Sequence, residues 1–373
     1  MKNLKSVFVL LGLAAVIACA SDSDLIGNWQ IAEQFASKGR TGAVTFSIGE
    51  VAYVGLGRDQ DQYDRQDFWQ FSGSSWKEVA PFPGKGRYGA VAFSDGVMGY
   101  VGLGYTENFT GIGGPTGNSE YLFDFWKFDP QGTTTDAVGD VFVGHWDSIG
   151  IVPAKFKGRR GAIGFSIGNK GYVGTGYNKT DGTLNDYWEF DIGTEQWSNQ
   201  VYKGVAREGA VVWVIGGSAY IATGQTGSAD YVSEVLRFTP GASTDPDAQW
   251  ETLDYLKDDS RKDYDGGYAA IRRAYGVAFV VKNAEGKDRA YITLGTLNGP
   301  KTDCYEFSPE KREMGEWAQV TGVPGSTSRV QAISFVHNNQ GYVVLGGSGI
   351  GAGVTQKMFR FQPGIANSDQ DDD

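Results

Sequence analysis

Cysteine and histidine are nearly absent from this chain of 373 residues, which holds only Cys19, Cys304, His145 and His337. So small a set cannot assemble a Cys/His zinc site. Charge is sparse as well: 21% of the residues are Asp, Glu, Lys or Arg, and 44 acidic against 33 basic residues leave a net charge of −11. Long solvated helices need more charge than this, and a protein that tracks nucleic-acid phosphates needs the opposite sign. Proline is scarce, with 11 residues, which argues against collagen-like and proline-rich disordered chains. No run after residue 18 is apolar enough to read as a membrane-spanning helix.

Glycine and aromatic residues take up the difference, with 55 Gly, 10 Trp, 19 Tyr and 21 Phe. Glycine costs about 1 kcal/mol inside a helix. The composition therefore predicts an all-β protein with glycine at its turns.

One motif recurs six times: YVGLG at 53–57 and 100–104, YVGTG at 172–176, YIATG at 220–224, YITLG at 291–295 and YVVLG at 342–346. Downstream lie DFWQF (67–71), DFWKF (124–128), DYWEF (186–190), EVLRF (234–238), DCYEF (303–307) and KMFRF (357–361). Trp76, Trp146, Trp197, Trp250 and Trp317 then open a further short run in the first five units, and an apolar stretch such as TGAVTF (41–46) precedes each motif. Four β-type segments in each of six units predict a six-bladed β-propeller over residues 27–363. The sixth unit ends at Phe361-Gln362-Pro363 without its tryptophan segment, while Trp29 stands unassigned before the first. Residues 28–34 are expected to pair with 357–362 and close the last blade, protecting the sheet edge.

Glycines after an apolar strand, then a spaced aromatic and a tryptophan, resemble the kelch repeat of the galactose-oxidase-like propellers. The glycine pair stands here mostly as Gly-x-Gly, as in Gly55-Leu56-Gly57, and Gly346-Gly347 keeps it adjacent. The resemblance implies a kelch-type propeller and leaves function to the site. Copper-radical galactose oxidase chemistry, which needs two histidines and a tyrosine cross-linked to cysteine, is not expected. His145 and His337 fall on turns of the face opposite the arginines described below, and Cys304 lies inside a strand. No cofactor or metal is expected; Asp59, Asp61 and Asp64 share a loop without the spacing of a calcium loop.

Lys2 and Lys5 precede an apolar run at 7–18 that has the form of a secretory signal peptide. Val16-Ile17-Ala18-Cys19 resembles the lipobox of bacterial lipoproteins. That resemblance implies a signal peptide at 1–18, a lipidated Cys19, a linker at 19–26 and a Gram-negative outer-membrane lipoprotein, periplasm-facing or surface-exposed. Residues 364–373, which include Asp369 and Asp373, read as an acidic disordered tail.

An arginine opens the innermost strand of every unit: Arg40, Arg87, Arg159, Arg207, Arg273 and Arg329. Six-fold arrangement places them in a ring round the channel mouth, where guanidinium groups suit a carboxylate, a uronic or sialic acid, or an acidic peptide. Asp67, Asp124, Asp186, Glu234 and Asp303 reach the same face, and each can neutralise the arginine of its own blade. Lys357 takes that slot in the sixth unit, which makes Arg329 the arginine expected to meet a ligand. Expanded loops at 105–122 and 254–272 bring Tyr105, Asn108, Phe109, Tyr121 and Tyr255 to this face, and Tyr105 and Tyr177 join the candidate binding residues. A further expansion, 130–144, joins the third and fourth strands of unit 2.

The expected role is non-catalytic binding of a glycan or an envelope protein by a monomeric propeller, without nucleic acid. A second possibility is a carbohydrate mutarotase or epimerase of the sialic-acid type found among secreted six-bladed kelch propellers, using Glu208 as general acid–base beside Arg207 and Arg329. A third is a structural scaffold within an outer-membrane assembly.

Overall fold

The computed structural model describes residues 25–107, 119–150, 152–253, 255–258, 267–325 and 329–366. Within them the chain forms six four-stranded antiparallel sheets and no α-helix. Blade 1 consists of Val44–Ile48, Val51–Gly55, Phe68–Phe71 and Trp76–Val79. Blade 2 consists of Val91–Ser94, Gly99–Gly102, Phe125–Thr135 and Val141–Ser148, and blade 3 of Ile163–Ile167, Lys170–Gly174, Tyr187–Asp191 and Gln196–Gln200. Blade 4 follows with Val211–Ile215, Ser218–Ala222, Val235–Phe238 and Trp250–Thr252. Blade 5 has Val277–Lys282, Asp288–Thr293, Cys304–Ser308 and Glu316–Val320. Blade 6 takes Ile333–His337, Gln340–Val344 and Met358–Ala366 from the end of the chain and its outer strand, Ile26–Ala32, from the beginning.

The closure forms as expected, with the first-segment strand at Ile26–Ala32 where 28–34 was expected. Trp29 lies opposite Phe361 and Ala32 opposite Met358, with an irregularity between Ile26 and Asn28. Trp29 is buried; its indole N–H donates to the Thr321 carbonyl of blade 5 at 2.8 Å, and its ring lies 4.8 Å from that of Phe361. Joining the two ends in one sheet removes the open edge that a propeller would otherwise carry. The expansion at 130–144 is not a free loop but a longer hairpin, in which Thr133–Thr135 pair with Val141–Val143.

Packing explains the repeated residues. In every blade the motif tyrosine stacks on an aromatic of the first strand: Tyr53 on Phe46, Tyr100 on Phe93, Tyr172 on Phe165, Tyr220 on Trp213, Tyr291 on Phe279 and Tyr342 on Phe335. Trp213, which fits no tryptophan slot in the sequence pattern, thus fills a phenylalanine position. The first glycine of Gly-x-Gly is steric, because a Cβ on Gly55 would stand 2.3 Å from the Phe68 ring. The second is conformational: Gly57 has φ +92°, beyond ordinary L-residue territory. This turn aims the Gly57 amide at the Arg87 carbonyl of the next blade, 2.7 Å away, and Gly104, Gly176, Gly224, Gly295 and Gly346 repeat the bond round the ring.

Candidate functional site

The six repeat arginines form a ring, but an interior one, with none more than 2% exposed. Each Nη1 donates to the carbonyl of the residue just before the left-handed glycine of its own blade, from Leu56 at 3.2 Å to Leu345 at 2.8 Å. Carboxylates complete five of them. Arg40 meets Asp67 at 2.6 Å, Arg87 meets Asp124 at 2.5 Å and Arg273 meets Asp303 at 3.2 Å, while Arg159 and Arg207 pair with Asp186 and Glu234. Trp69, Trp126 and Trp188 donate their indole N–H to the same carboxylates at 2.8 Å, which accounts for the D-x-W spelling. Burial pushes Asp67, Asp124 and Asp186 upward, but the hydrogen bonds and charges of their arginines win and hold all three below the usual carboxylate range.

Arg329, where Lys357 replaces the acid, donates instead to the Lys357 carbonyl at 2.8 Å and lies over the Phe359 ring. Burial draws its pKa down to about 10. The expectation of arginines open to the channel, with Arg329 meeting a ligand, is therefore corrected. The turn carbonyls and the third-strand acids draw the guanidinium groups away from the axis, and the ring latches each blade to itself.

The axis is built by the residue two places after each arginine: Gly42, Gly89, Gly161, Gly209, Tyr275 and Gln331. All six are left-handed, with φ of 64°, 63°, 61°, 64°, 56° and 54°. Their backbones form a closed circle of hydrogen bonds. Gly42 N–H donates to Gln331, Gly89 to Gly42, Gly161 to Gly89, Gly209 to Gly161, Tyr275 to Gly209 and Gln331 to Tyr275, over 2.8–3.2 Å. The next residues, Ala43, Ala90, Ala162, Ala210, Gly276 and Ala332, are all small. With Tyr88 and Arg160 these two layers enclose an axial cavity of about 150 Å³.

Charge converges on this cavity from blades 3, 4 and 5. The Tyr275 hydroxyl donates to Glu208 Oε2 at 2.5 Å, and Gln225 Nε2 donates to Oε1 at 3.3 Å. Arg160 Nε stands 3.9 Å from Glu208 Oε2, and Arg160 Nη1 donates to the Tyr88 hydroxyl at 3.3 Å. The Arg160 guanidinium lies over the rings of Tyr177 and Tyr105, 5.2 Å and 5.9 Å from their centroids. Tyr121 continues this aromatic wall, 4.6 Å from Tyr105 and 6.3 Å from Tyr177. Arg58 covers the outer side of Tyr88 at 4.5 Å, held there by Asp64 at 2.8 Å and Glu107 at 2.5 Å. Asp64 is thereby occupied, Asp59 accepts the amides of Asp61 and Tyr63, and Asp61 meets Lys38 at 2.6 Å.

Burial, then the adjacent Glu208 charge, pushes the Tyr275 phenol far above its ordinary value, so it stays a donor. Burial also raises Tyr121, to about 12. Burial alone would lower Arg160, but Tyr88, Tyr275 and Glu208 outweigh it, and the side chain is a permanent cation. The cavity lining thus offers the Arg160 cation, the Tyr275 phenol and the Tyr88 ring, while Glu208 and the rings of Tyr105 and Tyr177 stand behind these residues, outside the lining. Such a lining suits a small polar molecule.

Of the sequence candidates, Glu208, Tyr105 and Tyr177 come together here. Arg207, adjacent to Glu208, turns away into blade 4. Arg160, Tyr88, Tyr275, Gln331 and Arg58 were not foreseen, although alignment of the six Arg-x-Gly steps singles out Arg273-Ala274-Tyr275 and Arg329-Val330-Gln331 as departures. His337 lies on a turn far from this cavity in its blade, with Nδ1 donating to the Glu50 carbonyl at 2.7 Å. Cys304 is wholly buried and its thiol is pushed up by that burial. Cys19, Asn108, Phe109, the signal segment and residues 367–373 of the expected tail lie outside the described residues, whereas residues 364–366, expected to begin that disordered tail, belong to the last strand of blade 6.

No protein-family model matches the chain, and no curated protein matches it. Solved structures do match. The chain is similar to one titled "Structure of YjhT", with a TM-score of 0.63 at 18% identity over 87% of this chain and 95% of that one. The likeness is one of fold: a six-bladed β-propeller along almost the whole length of both chains.

Proposed function

We propose that this protein is a kelch-type propeller lipoprotein of the cell envelope, anchored through Cys19, that binds a small acidic sugar or the end of an acidic glycan in its axial pocket. The observation that carries this reading is that Arg160 and Tyr275 line one cavity, with Glu208 held beside it by the Tyr275 hydroxyl. Guanidinium suits a carboxylate, the Glu208 and Gln225 pair suits hydroxyls, and tyrosine rings suit the apolar face of a sugar. The volume of about 150 Å³ is below that of pockets for drug-sized ligands and fits a single ring. Isothermal titration of the mature chain with N-acetylneuraminic acid, D-glucuronic acid and neutral D-galactose tests it. Binding of either acid over galactose, weakened at least tenfold by Arg160→Met, is expected; failure of both acids to bind overturns the reading.

The 2.5 Å bond between Tyr275 and Glu208 favours a second reading, mutarotation of the bound sugar. In that reaction the ring C–O bond breaks as a base takes the anomeric hydroxyl proton and an acid delivers a proton to the ring oxygen, and reclosure on either face reverses both transfers. NMR exchange between the anomers of N-acetylneuraminic acid decides it. Acceleration by the protein that is lost in Glu208→Gln establishes catalysis, and an unchanged exchange rate leaves binding alone.

A further inference from the structure

Blade 3 adds cations where the repeat does not call for them. Arg160 follows the repeat arginine, a place where the other blades carry Thr41, Tyr88, Glu208, Ala274 and Val330. Lys179 stands three places after the motif glycine, where no other blade has a cation. Lys155 stands four places before the repeat arginine, where only blade 4 also has a cation, Lys203, held there by Asp247. Lys157 is different in kind: it pairs with Asp181 as Lys38 pairs with Asp61 and Lys85 with Glu120, so it belongs to the repeat. Lys155 and Lys179 are exposed and meet no carboxylate among the described residues. The stretch 149–160 holds no acidic residue, on a chain whose net charge is −11.

These cations surround a group of half-buried tyrosines. Arg160 N–H donates to the Tyr177 carbonyl at 3.0 Å and Tyr177 N–H donates back at 2.9 Å, which holds the Arg160 guanidinium over the Tyr177 ring. Asn178 Oδ1 accepts the amides of Thr180 and Asp181, a turn that carries Lys179 just beyond Tyr177. Gly158 packs so closely on the Tyr121 carbonyl that a Cβ would stand 2.3 Å from it, so the strand of chain bearing Lys155 runs beside Tyr121. Tyr121 in turn adjoins Tyr105 and Tyr177.

We propose that this rim, at the seam of blades 2 and 3, binds the chain of an acidic polysaccharide, with Lys155, Lys179 and Arg160 meeting carboxylates and Tyr105, Tyr121 and Tyr177 receiving the sugar faces between them. The inference rests on the reading that the axial pocket takes the end of an acidic glycan, because Arg160 belongs to both. Charge complementarity selects the partner: a local cationic patch on an acidic chain attracts a polyanion. A nucleic acid carries a charge on every unit and engages many cations at once, whereas a few cations interleaved with uncharged rings suit a polymer whose carboxylates are separated by neutral ring faces.

Length dependence tests it. Titration of the mature chain with D-galacturonic acid and with its tetramer should show the tetramer binding at least tenfold more tightly, since further contacts on one chain act at high effective concentration. Raising the salt concentration should narrow that margin. Lys155→Gln combined with Lys179→Gln alters two exposed side chains without carboxylate partners, so the fold is kept, and should bring the margin to within about threefold. A tetramer that binds no more tightly than the monomer, or a margin that the double variant leaves intact, overturns the inference while the pocket reading stands. A tetramer that binds through the lysines where the monomer does not bind supports the rim and counts against a single-ring pocket. Failure of both sugars overturns the inference, and the titrations with N-acetylneuraminic and D-glucuronic acid then decide the pocket separately. Poly-L-glutamate or oligothymidylate bound as tightly as the tetramer overturns the assignment to a polysaccharide.

Discussion

Trp29 provides a direct test of how the propeller is held shut. The residue is 3% exposed, contacts Phe361 and Phe279 and donates to the Thr321 carbonyl, so it ties the first segment of the chain both to blade 6 and to the end of blade 5. Truncating a buried tryptophan to alanine costs about 3–5 kcal/mol, the transfer of the ring plus the cavity left behind. Domains are stable by about 5–15 kcal/mol, so the change removes about a fifth or more of the total. Trp29→Phe keeps most of the packing and forfeits mainly the indole bond, about 1 kcal/mol. Trp76→Ala is the internal control: Trp76 holds the matching outer-strand place in blade 1, is half-buried, and its Nε1 has no hydrogen-bond partner among the described residues. Urea unfolding followed by tryptophan fluorescence should rank the losses Trp29→Ala first, Trp76→Ala second and Trp29→Phe last. A Trp29→Ala protein within about 1 kcal/mol of the parent, or no worse than Trp76→Ala, refutes the closure as a main source of stability.

The arginine latches carry a pH signature. Asp67, Asp124 and Asp186 titrate lower in the folded protein than in the unfolded chain, so their contribution is complete above the unfolded value near 4 and is lost as pH falls below it. The urea midpoint should drop steeply as pH falls from about 4 toward 2, and Arg40→Met, costing about 3 kcal/mol at neutral pH, should flatten that drop; an unchanged slope contradicts the latch. Gly102→Ala places a Cβ 2.4 Å from the Phe125 ring and should cost about 1–3 kcal/mol. Gly96→Ala, at φ +87° but with nothing within 4 Å, should cost only its backbone strain of about 1 kcal/mol. Equal losses in thermal unfolding would show that ring packing does not set the first glycine of the motif.

The architecture was legible because each structural requirement is written six times. Tyr53 and its five equivalents mark the second strand, Asp67 and Trp69 mark entry to the third, and the orphan Trp29 announces the closure. The candidate site was harder to read for a physical reason: it lies where the repeat departs from itself. Arg159 and Arg160 are neighbours of the same type, yet strand alternation sends the first into the blade and the second to the axis. Tyr275 and Gln331 differ from Gly42, Gly89, Gly161 and Gly209 only in a slot whose left-handed backbone residue type alone does not disclose. Glu208 was recognised as a candidate acid–base group, but its partner was sought next door at Arg207, when its side-chain contacts beyond its own blade come from blades 3 and 5, through Arg160 and Tyr275.

The circle of amides at the axis ties residue 42 to residue 331, nearly the full length of the chain. Contacts so distant in sequence form late, after the intervening loops have closed. The closed circle is therefore the last thing the molecule makes: a nascent or truncated chain that has built five good blades still has an open axis. Completion of the axial cavity is in this way a built-in report that residue 331 has met residue 42.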